Sequence, residues 1–205
     1  TDIPRSNSIP VNLPQDVQGV QSAIMKDGFG GEDFFSEHFE RINAYKEVAN
    51  IDVIAYLQAH PIKMPALESY IQQLTEKTED AKTAVATLTQ LNDFHVNALA
   101  ATQIDIKNAQ SAIEKSYSEQ NSSDIMDWLA HIEELHIEEQ EHKNISIFAK
   151  RFILEYNTII TASEKKLTLL RANTAALIQW VTVSLPAGTD VKMLKDLNLF
   201  STGTQ

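Results

Sequence analysis

The densest gathering of chemically capable side chains is the run His131-Ile-Glu-Glu-Leu-His136-Ile-Glu-Glu-Gln-Glu-His142. If it is helical, His131, Glu134, Glu138 and His142 share one face, and Glu133, His136 and Glu139 share another. Imidazole and carboxylate are serviceable ligands for zinc, copper or iron. The run also holds Glu133-x-x-His136 and Glu139-x-x-His142, the spacing of ligands in di-iron helical bundles. Such a site needs carboxylates converging from four helices, whereas both motifs here lie six residues apart on one. The only acid in the stretch expected to face them, 98–110, is Asp105. The run therefore reads first as a solvated acidic face. His131, Glu134, Glu138 and His142 remain weak metal candidates, and no cofactor is expected.

Histidine titrates near neutrality, so His131, His136 and His142 among these glutamates predict an acid-sensitive association. Trp128, close to an expected helix–helix turn, is a candidate partner anchor, because large aromatics near an exposed tip suit a contact surface. Trp128, His131, Glu134, Glu138 and His142 together form the expected partner-binding set.

His95, beside Phe94 on an expected apolar seam, reads as a packed histidine that helps Asn92 and Thr102 set helix register. Phe34, Phe35, Phe39 and Trp180 read as core. Asn121-Ser-Ser123 and Asn144-Ile-Ser146 match a glycosylation acceptor pattern that arises easily by chance. No arrangement places a nucleophile on a strained turn, cradles a phosphate or binds a dinucleotide, and the chain is expected not to be an enzyme.

Composition narrows the remaining classes. A net charge of −11 disfavours nucleic-acid phosphates and anionic membrane surfaces, both of which call for clustered Lys and Arg. The absence of cysteine removes disulfides, thiolate catalysis and Cys-ligated zinc. The uncharged stretch 172–189 carries Asn173, Thr174, Gln179, Thr182, Ser184 and Pro186, too polar for a bilayer span, so membrane insertion is disfavoured. The start, Thr1-Asp-Ile-Pro-Arg-Ser-Asn-Ser-Ile-Pro10, would suit a segment left after export, and the reading leans towards an extracytoplasmic protein.

The elements that position these residues follow from punctuation. Neither Gly nor Pro occurs between residues 66 and 185, a run of 120 residues rich in Ala, Leu, Ile, Glu, Gln, Lys and Thr. A sheet domain would need turn residues every ten positions or so, and a helix needs none. The fold class is therefore all-α. It is built on a long antiparallel hairpin of helices at about 65–118 and 123–185, turned at Glu119-Gln-Asn-Ser-Ser123. Ser122 or Ser123 is the expected N-cap of the second limb. A third helix from Glu32 to about Ala59, with a kink or break near Asn50-Ile-Asp52, should pack on one half. The result would be a three-helix base with a two-helix arm, and short helices at 14–27 and 190–199.

In domain terms, residues 1–31 are an extended strap or tail with a short helix. Residues 32–199 form the bundle, with base 32–95 and 149–199 and arm 96–148, and 200–205 are a tail. On the first limb, Leu67, Ile71, Leu74, Thr78, Ala81, Val85, Leu88, Asn92, His95, Leu99, Thr102, Ile106, Ala109 and Ile113 recur at steps of four and three, the signature of a coiled-coil seam. The apolar residues of the second limb, including Leu129, Leu135, Ile145, Phe152 and Tyr156, drift in phase. Folding about residue 121 sets Lys165 and Lys166 near Glu76 and Glu79, and Lys107 near Glu134, which predicts ion pairs there.

These features point to a non-enzymatic scaffold or adhesin-like interaction protein that uses its arm to contact a protein partner or a second copy of itself. A membrane-active helical protein and a metal-binding carboxylate bundle are the alternatives.

Overall fold

The computed structural model describes the backbone of residues 32–182 and the side chains of residues 34–182. Five helices cover them: α1 (Glu32–Ala49), α2 (Val53–Ala59), α3 (Lys63–Ser118), α4 (Ser122–Ala172) and α5 (Thr174–Thr182). The fold is all-α, a long antiparallel hairpin of α3 and α4 with a third helix on one half. The expected helices at 14–27 and 190–199, the N-terminal strap and the tail lie outside the described residues.

Each boundary has a local cause. Pro65 sits in the first turn of α3, where its missing N–H is no loss. The α3–α4 turn is built without glycine. Gln120 takes the left-handed conformation at φ 56°, its N–H donates to Tyr117 O (3.2 Å), and the Asn121 N–H reaches back to Ser116 O (3.0 Å). That pair of bonds is the Schellman closure usually given to glycine. Asn121 then caps α4: its Oδ1 accepts from the Asp124 N–H (3.2 Å) while its Nδ2 donates to the Asp124 carboxylate (2.7 Å). The cap is thus Asn121, one residue before the expected serines.

The helix expected over 32–59 is divided into α1 and α2. Asp52 causes the division, because its Oδ1 accepts from the N–H groups of Ile54 (3.1 Å) and Ala55 (3.2 Å) and so starts a new helix. The second limb, expected in one piece to about 185, is interrupted at Asn173. There the Asn173 Nδ2 and the Thr174 hydroxyl donate to Leu169 O and Leu170 O (both 2.8 Å), and such side-chain bonds compete with the backbone ladder.

The chain forms two compact units. Among the described residues, one takes in residues 32–36 and 86–152, the other residues 37–85 and 153–182. In the second unit, α3 buries Leu67, Tyr70, Leu74, Ala81 and Ala84, α4 buries Tyr156, Ile159, Ser163, Lys166 and Leu170, and α1 buries Ile42, Tyr45, Val48 and Ala49; Val48, Ala49, Leu67, Tyr70, Leu74 and Leu170 share one core. Val53 and Leu57 of α2 and Leu177 of α5 complete that core. In the first unit, α3 buries Leu88, Leu91, His95, Ala98, Thr102, Asp105 and Ala109, and α4 buries Leu135, His142, Ile145, Ala149 and Phe152. Phe34 and Phe35, in the first turn of α1, set their rings against Phe152 (5.8 Å) and Phe148 (4.4 Å).

The seams differ from the expected ones in an instructive way. Every expected seam position on α3 is buried or half-buried, but beside the 67–74–81–88–95–102–109 row the positions three residues on (70, 84, 91, 98, 105) are more often fully buried than those four residues on, where only Thr78 and Ile106 are. On α4 there is no drift. Leu135, Glu138, His142, Ile145, Ala149, Phe152, Tyr156, Ile159, Ser163, Lys166 and Leu170 alternate in steps of three and four, with only Glu138 short of full burial. The drift arises when only large apolar residues are counted, because His142, Ala149, Ser163 and Lys166 hold regular inward positions. Leu129 falls off this stripe and is 48% exposed, and Phe39, one position from the inward-facing His38, is 47% exposed.

Candidate functional site

The polar heart of the first unit lies across its α3–α4 seam. Helical spacing brings Asn92, His95 and Thr102 to one side, and Glu138, His142 and Ser146 to the other. Ser146 donates to Asn92 Oδ1 at 2.6 Å. Thr102 donates to Ala98 O at 2.9 Å, with Glu138 Oε1 at 3.5 Å from the same hydroxyl. Between these contacts His95 Nδ1 and His142 Nδ1 stand 2.8 Å apart, with the two rings inclined by 44°.

His95 is fully buried and His142 is 4% exposed. Burial, with the neighbouring His142 ring adding to it, holds His95 down at about 4 from an ordinary 6.5, so it is neutral at pH 7. A bond between two Nδ1 atoms needs one of them to carry a hydrogen and the other a lone pair. Glu138 Oε1 lies 3.5 Å from His142 Nε2, close enough for charge attraction but too long for a hydrogen bond. That Nε2, like the Nε2 of His95, has no hydrogen-bond partner. Glu138 nonetheless favours a hydrogen on His142 Nε2, which makes His95 the donor of the shared bond.

The residues singled out from sequence fall in three different environments. His142 and Glu138 join the seam. Trp128 is half-buried against Ile106, Ala109 and Leu135, and its ring centroid lies 6.1 Å from that of half-buried His131. Glu134, Glu133 and His136 are exposed. His136 and Lys143 both approach Glu139, at 3.5 and 3.7 Å; against the cost of burial, a hydrogen bond from Gln103 first, then His136 and Lys143, hold Glu139 below the usual carboxylate range. His131, Glu134, Glu138 and His142 are not drawn to one point. Among the described residues no three His, Asp or Glu side chains converge as metal ligands do.

Two buried groups in the second unit had no sequence signal as sites. His38 Nδ1 accepts from the Tyr156 hydroxyl at 2.8 Å. Burial first, and Arg41 second, hold His38 at about 4, while burial pushes Tyr156 up, so neither carries charge at neutral pH. Lys166, 1% exposed, donates to Ala49 O (2.7 Å) and Ile51 O (2.8 Å) beneath the Tyr70 ring. Burial lowers it to about 8, against the pull of Asp52. Lys166 therefore does not meet Glu79, as charge matching had predicted. Lys82 does, at 3.1 Å, and also reaches Glu164 at 2.7 Å. No ion pair joins Lys107 to Glu134. A shallow polar groove of about 340 Å³ runs beside Lys82, lined by Thr75, Thr78, Glu79, Glu164, Thr168 and Arg171, with Arg171 donating to Thr75 Oγ1 at 3.2 Å.

Among the described residues no helix is long and apolar enough to cross a membrane. Fold and site together define an all-α helical-hairpin protein with a polar, histidine-paired seam. No protein-family model matches the chain, and neither a curated protein nor a solved structure is similar to it.

Proposed function

We propose that this chain is a non-enzymatic interaction protein whose α3–α4 pair over residues 86–152 is the contacting element, engaging a protein partner or a second copy of the chain. The observation that carries this reading is where large apolar side chains stay in water. Among the described residues eleven are exposed, and seven of them belong to that unit: Val96, Ile104, Tyr117, Met126, Leu129, Ile137 and Ile147. Met126, Ile137 and Ile147 are each about 60% exposed or more and lie on the side of α4 away from its seam. Apolar side chains grouped on an exposed face mark association surfaces.

Of the residues proposed from sequence as partner contacts, Glu134 is presented to solvent and Trp128, His131 and Glu138 are half-presented. His142 is withdrawn into the seam, and its part would be to hold the pair together.

The test is sedimentation velocity across a hundredfold range of concentration, joined to chemical cross-linking in extracts of the source cells. Association or a specific cross-linked partner is expected, and is expected to be lost on Ile137→Lys with Ile147→Lys while helicity is kept. A chain that stays monomeric throughout and cross-links to nothing through residues 86–152 removes the proposal.

A further inference from the structure

The His95–His142 contact can exist in only some protonation states. At 2.8 Å between Nδ1 atoms, one hydrogen is shared, so the neutral pair makes one good bond. A first added proton leaves that bond standing but sets a charge in a dry seam, with two Nε2 atoms that have no hydrogen-bond partner. A second sets two N–H groups head to head. Once the helices separate, both rings meet water, and His95 returns to the ordinary 6.5.

The groups facing the pair do little to offset this. From α3 come the Phe94 ring, edge-on to His95 at 5.1 Å, and the Thr102 hydroxyl, which is engaged with its own helix. Asp105, the next acid along that seam, is ten residues and so roughly 15 Å from His95. From α4 comes Glu138, whose Oε1 lies 3.5 Å from His142 Nε2 and 3.5 Å from the Thr102 hydroxyl, so its charge is divided between the pair and the seam beside it. Glu139, Glu141 and Lys143 flank His142 on its own helix, and the Glu139 carboxylate is engaged with Lys143 (3.7 Å) and His136 (3.5 Å).

We propose that the α3–α4 pair over residues 86–152 is acid-labile, opening reversibly as the His95–His142 pair takes up protons. The opening is internal to one chain and needs no partner, so it stands or falls separately from the interaction reading.

The sign follows from linkage. The paired state favours the uncharged rings, so its stabilisation is complete above pH 6.5 and is lost as the pH falls through the mildly acidic range. The depressed value of His95 agrees in direction.

Hydrogen exchange on the full chain at micromolar concentration, corrected for the intrinsic pH dependence of exchange, reads the opening locally in amides 92–102 and 138–146. Between pH 7.5 and 5, protection there should fall by roughly thirtyfold, the size expected of one histidine lowered from 6.5 to about 4. It should recover on neutralisation. In the double variant His95→Leu, His142→Leu, protection should be nearly the same at the two pH values. Unchanged protection in the parent chain overturns the proposal, and so does an equal loss in the double variant, which would assign acid sensitivity to carboxylates. If the double variant does not fold, a histidine NMR titration of the parent chain decides. Loss of protection in step with protonation of His95 supports the switch, and loss at a separate, lower pH overturns it.

Discussion

Lys166 Nζ lies 2.7 Å from the carbonyl oxygen of Ala49, so a lysine on α4 closes the C-terminus of α1. It reaches Ile51 O as well, and the Tyr70 hydroxyl takes Val48 O at 2.8 Å. Carbonyls where α1 ends are thus met from two other helices, with Val48 O also taking a longer local bond from the Ile51 N–H (3.4 Å). Lys166→Met should fit the space but leave Ala49 O and Ile51 O without partners, at a cost of about 2–4 kcal/mol. Urea unfolding followed by circular dichroism measures it.

The same lysine has a distinctive pH signature. Its folded value near 8 lies below its ordinary 10.5, so between those limits the unfolded chain holds the extra proton and stability rises with pH. From pH 8 to 10 the parent chain should gain on the order of 1–2 kcal/mol, and Lys166→Met should gain almost nothing. Above pH 10 the trend should reverse, because burial raises Tyr70 and Tyr156 and the folded state then resists their ionisation.

Tyr156→Phe removes the hydroxyl that bonds the buried Nδ1 of His38 at 2.8 Å. A loss of about 1–3 kcal/mol at pH 7 is expected. His38 should also contribute to acid sensitivity of the second unit, its stabilisation being complete above pH 6.5 and lost as the pH falls towards about 4. Thermal unfolding at pH 7.5 and 5 for the parent and for His38→Leu would show the difference.

Gln120 holds a left-handed conformation that costs a residue with a Cβ about 1 kcal/mol. Gln120→Gly should therefore stabilise the hairpin by about 0.5–1 kcal/mol, part of the gain being offset by the freer unfolded glycine. An unchanged or lowered unfolding midpoint would show that the side chain of Gln120 contributes more than its backbone strain.

Asp52→Ala should cost about 1 kcal/mol, because two N–H groups of the seven-residue α2 lose their acceptor. The effect should be local, seen as faster hydrogen exchange in 53–59 before any change in the amides of α3.

How much of this was legible depends on what kind of force each feature obeys. The hairpin, its turn near residue 121 and the limits of α3 follow from missing breakers and a seven-residue recurrence, which are local and periodic. The divisions at Asp52 and Asn173 are weaker in the sequence because a polar side chain in a helical stretch can either face water or bond its own backbone. The histidine run drew attention for its density. Yet the partner of His142 is His95, 47 residues away on the other limb, and only the register of the two helices brings them to 2.8 Å.

What the amino-acid sequence determined by itself is therefore the secondary structure and the antiparallel plan, because helix propensity, proline and glycine act within a few residues. What only the tertiary structure decided is which polar side chains are inside. The seam position of His95 is legible in the sequence, but His38, His142, Ser163 and Lys166 sit at regular inward positions that a search for apolar residues passes over. For three of these groups a distant partner supplies a hydrogen bond: Tyr156 for His38, His142 for His95 Nδ1, and the carbonyls of Ala49 and Ile51 for Lys166. That is a property of two chain segments brought together, and neither segment states it alone.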